Sequence, residues 1–474
     1  MTRKLFGTDG VRGVAGELLS ADLALALGRA ATHRVAAIRA AGSGANGSGA
    51  AAAARGERPQ VLIIRDTRES GEMLQAALAA GVSAAGGDAL LGGVLPTPAA
   101  PLLIARYGFD LAAVISASHN PYEDNGIKFF GADGFKLSDE DELEIERELQ
   151  RLETAGAESS NGGASGASGV LGHASIGRVR ELRGTHEDYL RELHTRFRDL
   201  DLSGLDVLLD CANGATHHVA PEIFRRLGAV VSVLADSPDG RNINAGCGST
   251  HVEQLAERVL AGGHAVGFAF DGDGDRMLAV DGAGEVVDGD ELMALAALHL
   301  KSSGRLTGGG VAVTVMTNYG FHAAMSTAGI EIAVTNVGDR YVLEALRERG
   351  WVLGGEQSGH IIDMSFNRSG DGIASALLAL EALAGRPLSE RDAMAKLPQR
   401  LVNVRVRDRG ALEGAAAVTA AVQAEDDALS GRGRVLVRPS GTEPLVRVMV
   451  EAPSDEEAEA VCGRLVALVE RELA

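Results

Sequence analysis

The sequence predicts an α/β fold: three related α/β units followed by a smaller α+β domain. Three observations lead there. An apolar strand, a polar Gly/Asn/Asp loop and a helix recur in that order around residues 61–64, 205–209, 265–270 and 311–316. The texture then changes past Pro398, where Leu401-Val402-Asn403-Val404-Arg405-Val406 alternates as a half-buried strand does. The length, 474 residues, suits roughly three or four domains and can bury ample core without disulfide staples. The repeat is one of architecture and not a short-period solenoid.

The elements follow in order. Ser20 is placed as an N-cap with Asp22 in the first turn, starting an Ala- and Leu-rich helix that runs to about Ala41. Residues 42–56 are a run of Gly, Ser and Ala expected to form a flexible surface insertion. The strand at 61–64 ends at Arg65-Asp66-Thr67-Arg68, and a helix and a strand with a Gly-Gly pair lead to Pro96-Thr97-Pro98. Leu111-Ala112-Ala113-Val114-Ile115 is a buried strand. Ser138 caps another helix, with Asp141 as its capping-box partner. A second loose segment is expected at 155–169. A new unit begins with a helix from Thr185 and passes through strand 205–209 into Asp210-Cys211-Ala212-Asn213-Gly214. Strand 311–316 opens at Thr317-Asn318-Tyr319-Gly320. The last unit is strand, helix, Gly-Arg-rich turn, the strand 445–450 and a final helix, about eighty residues in all, an ordinary domain size. The expected domain limits are 1–177, 178–284, 285–393 and 394–474.

Composition narrows the function. A formal net charge of −20 argues against a general nucleic-acid binder, and a polyanionic substrate would need local clusters of Arg and Lys. Cys211, Cys247 and Cys462 are odd in number and widely spaced, so no disulfide framework is implied. Cys247 and His251 lack the further ligands a zinc site needs. The start, Met1-Thr2-Arg3-Lys4-Leu5-Phe6, has no signal-like apolar stretch, and no apolar run reaches membrane-spanning length. The expectation is a cytoplasmic protein without nucleic-acid or membrane partners.

Four loops and a glycine-rich start carry chemistry. Ser116-Ala117-Ser118-His119-Asn120-Pro121 follows the buried strand 111–115, which puts a serine at the mouth of a sheet, where open α/β folds hold their sites. Asp124-Asn125-Gly126-Ile127-Lys128 adds a cation, and the set points to a hydroxyl that carries a phosphoryl group. Asp271-Gly272-Asp273-Gly274-Asp275-Arg276 follows the strand 265–270. Alternate side chains of an extended segment share a side, so the carboxylates converge and call for a hard cation, Mg²⁺ or Ca²⁺. An EF-hand fails, because its sixth position would be Arg276 and its twelfth Gly282. A phosphate on Ser118 could complete such a cation's ligands, so the two loops need each other chemically. In Arg438-Pro439-Ser440-Gly441-Thr442-Glu443-Pro444, a planar guanidinium, two hydroxyls and open backbone amides suit a phosphate, and Arg447 can join them. Gly354-Gly355-Glu356-Gln357-Ser358-Gly359-His360 offers Glu356 and Ser358 to sugar hydroxyls or an ammonium group. The glycine-rich start, Phe6-Gly7-Thr8-Asp9-Gly10-Val11-Arg12-Gly13, offers Arg12 to a phosphate.

Taken together and in this order, these loops resemble those of the α-D-phosphohexomutase superfamily from Phe6 to the final domain, in its glucosamine-phosphate form. Asn242-Ile243-Asn244 and Cys247-Gly248-Ser249-Thr250-His251 are similarly characteristic, whereas Ile64 stands where the family usually has glycine. The resemblance implies a heart-shaped enzyme of four domains around a central cleft, each lending one loop. It implies interconversion of glucosamine 6-phosphate and glucosamine 1-phosphate, towards UDP-N-acetylglucosamine and cell-wall precursors. It places Ser118, in preference to Ser116, as the phosphorylated nucleophile, and Mg²⁺ on Ser118, Asp271, Asp273 and Asp275. Glucosamine 1,6-bisphosphate would be intermediate and activator. Lys128 and Arg12 would neutralise the phosphoserine region, and His119 would either move a proton or support the loop. Glu356, Ser358, Arg276, Arg438, Ser440, Gly441, Thr442 and Arg447 would bind substrate. A homodimer and an activating kinase are compatible with it. The alternatives are a phosphomannomutase or phosphoglucomutase of the same fold, a silent sugar-phosphate sensor and a Mg²⁺-dependent phosphatase.

Overall fold

A computed structural model of the chain describes residues 5–7, 9–42, 58–160, 176–440 and 444–473. Four sheets follow one another along it. The first comprises β1 (Val11–Val14), β2 (Gln60–Arg65), β3 (Asp88–Val94), β4 (Leu111–Ile115), β5 (Asp124–Gly131) and β6 (Val179–Glu181), in the order β1-β5-β4-β2-β3-β6. The second holds β7 (Asp206–Asp210), β8 (Val230–Leu234), β9 (Val266–Phe270), β10 (Met277–Asp281) and β11 (Val286–Val287), ordered β11-β10-β9-β7-β8. The third holds β12 (Gly310–Thr314), β13 (Glu331–Thr335), β14 (Leu353–Gly355) and β15 (Ile361–Asp363), ordered β13-β12-β14-β15.

These three sheets repeat one topology. In each, a first strand is flanked by its two helix-connected successors, both parallel to it: β3 and β4 about β2, β8 and β9 about β7, β13 and β14 about β12. The third of these strands then turns back into an antiparallel neighbour: β4 into β5, β9 into β10, β14 into β15. Because the two crossovers leave on opposite sides of the first strand, a crevice opens at the carboxyl ends of the first and third strands, the usual ligand position in open α/β sheets. The serine loop is the β4–β5 connection, the aspartate loop the β9–β10 connection and the Glu356 loop the β14–β15 connection.

The strands form for local reasons. Those at the centre of each sheet are short and apolar throughout, with every residue of β4, β9 and β12 buried, as expected where helices cover both faces. One continuous core joins the first three units, from Leu62 and Val114 through Leu209 and Phe268 to Val313 and Leu377. A second core lies on the far face of the first sheet, around Leu27, Ile63, Leu78 and Ile115. The fourth sheet, β16 (Gln399–Arg405), β17 (Arg434–Pro439) and β18 (Leu445–Glu451), is antiparallel in the order β16-β18-β17 and has a core of its own around Val448, Val461 and Leu465.

The structure adjusts some local expectations. The first helix is Ala21–Gly42, with Ser20 Oγ accepting from the Leu23 amide at 3.2 Å as a cap should. Ser138 likewise accepts from the Asp141 amide at 3.2 Å, but the box does not close. Asp141 instead accepts from the Ser138 hydroxyl at 2.7 Å and from Arg34 at 2.8 Å, a stronger, charged donor. The helix it starts, Asp139–Ser160, runs six residues into the segment expected to be loose from 155. Most of the insertion expected at 42–56, and the remainder of the second segment from 161, lie outside the described residues. In β16, Val404 is buried but Val402 is 39% exposed, so the inward alternation holds only towards the end of the strand.

Candidate active site

Ser118 lies just beyond the carboxyl end of β4 and is buried, with φ at 52°. A side-chain-bearing residue in that left-handed region costs roughly 1–2 kcal/mol and persists only where the surroundings over-determine it. Here they do. The Ser118 amide donates to Ser116 Oγ at 2.9 Å, and that hydroxyl donates to Asp66 Oδ2 at 2.6 Å. Arg68, wholly buried, pairs with Asp66 at 2.9 Å and turns its other nitrogens onto the carbonyls of Ser118 (2.9 Å), Asn120 (2.8 Å), Asp124 (3.0 Å) and Pro121. Asn244, from the second unit, donates to the Ser118 and Asn120 carbonyls at 2.9 and 3.1 Å. Burial pushes the Asp66 carboxyl above its usual range, with Arg68 opposing. Arg68→Met leaves Asp66 buried without its cation and should cost about 3–5 kcal/mol of unfolding free energy. Denaturant titration against wild type checks this, and an unchanged midpoint would contradict it.

The aspartate loop passes directly under the serine loop. A Cβ on Gly272 would come within 2.6 Å of the Ser118 carbonyl oxygen, so only glycine permits the approach. The Ser118 hydroxyl donates to Asp271 Oδ2 at 2.5 Å. Asp271, Asp273 and Asp275 are buried and offer oxygens that all lie within 4.8 Å of one another. Asp273 Oδ2 accepts from Thr97 Oγ1 at 2.6 Å and Lys128 Nζ at 2.7 Å. Asp273 Oδ1 and Asp275 Oδ1 are buried with no hydrogen-bond partner among the described residues. Burial, then Asp275 and Asp273, hold the Asp271 carboxyl well above the ordinary range. Burial pushes Asp275 upward too, but His360 and Lys128 overcome it and hold that carboxyl low. Convergent buried carboxylates with orphaned oxygens fit a hard cation, so this acidic triad could hold a metal ion.

The remaining predicted residues divide into those gathered here and those placed elsewhere. Lys128, on β5, faces Asp273, Asp9 at 3.3 Å and Asp275 at 3.8 Å, so its charge is directed at the aspartate loop. Arg12 pairs with Asp9 while its buried Nε has no hydrogen-bond partner among the described residues. His119 Nδ1 is 3.4 Å from Ser118 Oγ. Burial lowers the His119 pKa, with Arg276 and Arg12 adding to the effect, so the ring favours its neutral form. Arg276 donates its amide to Asp271 Oδ1 at 3.2 Å, and its buried Nε, 3.8 Å from Asp275, has no hydrogen-bond partner among the described residues.

Glu356 and Ser358 sit on the β14–β15 loop, Ser358 exposed and Glu356 half-buried, with Glu356 Oε1 accepting from the Gly338 amide at 3.0 Å. Gln357 turns away to Asp288 at 3.3 Å. On the fourth sheet Arg438 and Arg447 are directly opposite across β17 and β18. Like charges in that position repel, and each lowers the cost of bringing an anion between them. Ser440 is buried and donates its amide to the Leu445 carbonyl at 2.8 Å; Gly441 and Thr442 lie outside the described residues. A cavity of about 620 Å³ between the helix Tyr319–Thr327 and residues 392–397 contains none of these groups.

Several participants stand in motifs quoted from the sequence that give them no role there: Arg68 and Asn244 as clamps, Thr97 as a donor to Asp273, and Asp9 and His360 beside Lys128 and Asp275; Lys136 and Asp339 stand in none of those motifs. Repeat logic could have found Arg68. It follows β2 at the place where Asn213 follows β7, and that is the second edge of the ligand crevice in each unit.

The chain matches the phosphoglucomutase/phosphomannomutase family along nearly its whole length. Residues 3–156 match its α/β/α domain I, 187–284 its domain II, 288–401 its domain III and 401–468 its C-terminal domain. The phosphoglucosamine mutase of Moorella thermoacetica is 50% identical over 465 residues, covering 98% of both chains. That of Bacillus subtilis is 45% identical over 473 residues, covering 99% of both. Among solved structures, a phosphoglucomutase/phosphomannomutase family protein from Burkholderia thailandensis has a TM-score of 0.77 at 23% identity, over 99% of this chain and 97% of that one. Aspergillus fumigatus N-acetylphosphoglucosamine mutase, solved with GlcNAc-6P and magnesium, has a TM-score of 0.61 at 21% identity, over 80% of this chain and 92% of that one. At those identities the two structures speak for the fold, while the sequence matches speak for descent. With its loops arranged on three copies of one topology and a separate fourth sheet, this chain belongs to the phosphoglucomutase/phosphomannomutase family, in its phosphoglucosamine mutase branch.

Proposed function

We propose that the chain interconverts glucosamine 6-phosphate and glucosamine 1-phosphate through a phosphoserine at Ser118. The observation that carries this reading is the contact between the Ser118 hydroxyl and Asp271, 2.5 Å across two units of the fold. It puts a hydroxyl nucleophile at a cation-binding triad, the combination phosphoryl transfer requires. The names borne by relatives at 45–50% identity supply the sugar.

In this reading Asp271, Asp273 and Asp275, with phosphorylated Ser118, would hold Mg²⁺. When bound, the ion withdraws charge from the phosphoryl oxygens and makes the serine oxygen a better leaving group. A free sugar hydroxyl attacks phosphorus and gives up its proton, the bond to Ser118 Oγ breaks, that oxygen takes up a proton, and glucosamine 1,6-bisphosphate forms. The bisphosphate turns within the site, and Ser118 Oγ takes back the other phosphoryl group, releasing the isomer. His119, neutral and 3.4 Å from Ser118 Oγ, is placed to exchange a proton at that atom. Lys128 offsets the triad's negative charge from the side of the first unit, with Arg12 held beside it through Asp9. Arg276, whose buried Nε has no hydrogen-bond partner among the described residues, binds substrate. Glu356 and Ser358 bind the sugar; Arg438, Ser440, Gly441, Thr442 and Arg447 bind the phosphate that is not reacting. The four domains are taken as 1–177, 178–284, 285–393 and 394–474.

The test follows both sugar phosphates by phosphorus NMR from either side of the equilibrium, with Mg²⁺ and catalytic bisphosphate. Isomerisation of the glucosamine phosphates, faster than of glucose or mannose phosphates, is expected; phosphate release without isomer exchange would overturn the reading. Arg438→Ala removes one charged donor, worth about 1.5–3 kcal/mol, and should raise KM roughly 10- to 100-fold. Initial rates over a substrate series check this, and an unchanged KM would contradict the assigned role.

A further inference from the structure

Six titratable groups around the site form a closed ring in which carboxylates alternate with Lys136, Lys128 and the His360 imidazole. Lys136 pairs with Asp9 and, at 2.6 Å, with Asp339. Asp339 faces His360 Nε2 at 3.8 Å, and His360 Nδ1 faces Asp275 at 3.6 Å. Asp275 faces Lys128 at 3.8 Å, and Lys128 returns to Asp9 at 3.3 Å. Asp9, Lys128 and Lys136 come from the first unit, Asp275 from the aspartate loop of the second, and Asp339 and His360 from the third.

The ring has an inner and an outer arc. Lys128, Asp275 and His360 lie at the aspartate loop. Lys136 and Asp339 form the outer arc: neither pairs with Asp271, Asp273, Asp275 or Ser118 among the described residues. Yet Lys136 is only 13% exposed and spans two carboxylates that belong to different units. The neighbouring Arg340 takes the opposite partner across the same seam, pairing with Asp139 and with Glu142 at 3.2 Å. Arg347 and Arg368, from the third unit, lie over the Phe135 ring at 4.3 and 5.5 Å. The third unit therefore grips residues 135–142 of the first by several directional contacts, and Lys136–Asp339 is the one that continues into the site.

We propose that Lys136 and Asp339 are positioning residues for phosphoryl transfer, holding Lys128 and His360 against the aspartate loop from outside the reacting groups. This rests on the functional reading above. Charge-paired anchors of this kind fix where a catalytic group stands, and a small misplacement lowers turnover more than binding. With Lys136 neutral, Asp9 has Lys128 and Arg12 as its charge partners, which draws Lys128 away from Asp273. With Asp339 neutral, Lys136 loses the charge of one of its two carboxylate partners and His360 Nε2 loses the carboxylate charge 3.8 Å from it, which loosens the third unit's hold on the aspartate loop.

Lys136→Met and Asp339→Asn are compared with wild type and with Lys136→Arg. Each of the first two is expected to lower kcat at least tenfold with KM for glucosamine 6-phosphate changed less than twofold, at an unchanged circular dichroism spectrum. Lys136→Arg, which keeps the charge and the reach, is expected to recover most of kcat. Asp339→Asn keeps the test decisive if Lys136→Met does not fold. Wild-type kcat in both neutral variants overturns the proposal, as does a fall in kcat that accompanies unfolding and is not recovered by Lys136→Arg. Absence of isomerisation in wild type would overturn the functional reading instead, and is seen in a separate arm of the same assay.

Discussion

Replacing Ser118 by alanine will lower isomerisation by at least about 10⁴-fold, the scale of losing a nucleophile that acts in a covalent step, while the protein stays folded. The structure explains both halves of this result. Alanine keeps the Cβ, so the left-handed backbone at 118 is no more strained than with serine. The loop is held through its main chain, by Arg68 and Asn244 on the carbonyl and Ser116 on the amide, and none of these contacts uses the hydroxyl. What the variant loses is the donor to Asp271 and the atom that carries the phosphoryl group. Steady-state rates and thermal unfolding check the two halves together. Retained turnover would remove Ser118 from the mechanism, and Ser116, whose hydroxyl is occupied by Asp66, would have to be reconsidered.

Removing divalent metal will have an effect of similar size. Chelation should abolish turnover, and Mg²⁺ should restore it. The same ion should raise the melting temperature, because a ligand that binds only the folded state stabilises it, by about 2.7 kcal/mol at a concentration 100 times Kd. The sign follows from the charges. Without a cation, buried Asp271 is pushed upward by burial and its two carboxylate neighbours, and Asp273 Oδ1 and Asp275 Oδ1 have no hydrogen-bond partner among the described residues. A bound cation relieves both costs. Asp273→Asn tests a different point, since it also removes the nearest of the three carboxylates around buried Lys128 and should destabilise the fold even without metal. Full activity after exhaustive chelation, with no change in melting temperature on adding Mg²⁺, would contradict the assignment of the triad.

The sequence carried the fold's grammar well because that grammar is local. Strands such as 111–115 and 265–270 are buried on both faces, so their apolar runs are continuous and their ends coincide with small and acidic loop residues. The aspartate loop was legible for the same reason: its three carboxylates are neighbours in sequence and need no distant partner to suggest a cation. Arg438 and Arg447 were legible as a pair of basic groups, but their facing positions depend on a register that only the hairpin fixes. The clamps were not legible. Arg68 acts on carbonyls some fifty residues away, and Lys136 meets Asp339 across 203 residues, so nothing near either residue announces the partner. The unclosed capping box at Ser138 has the same cause, since Asp141 answers to Arg34, 107 residues earlier. Long-range charge pairing is what local patterns leave out.

The claim on which the account depends is that one phosphoryl group resides on Ser118 Oγ and passes to the sugar. Protein labelled with isotopic phosphate at Ser118 is mixed with a single equivalent of unlabelled glucosamine 6-phosphate and quenched over time. The account predicts that the label leaves the serine, appears in glucosamine 1,6-bisphosphate and is then found in the product monophosphate. Isomerisation that proceeds while the label stays on the protein, or is released as inorganic phosphate, would contradict it.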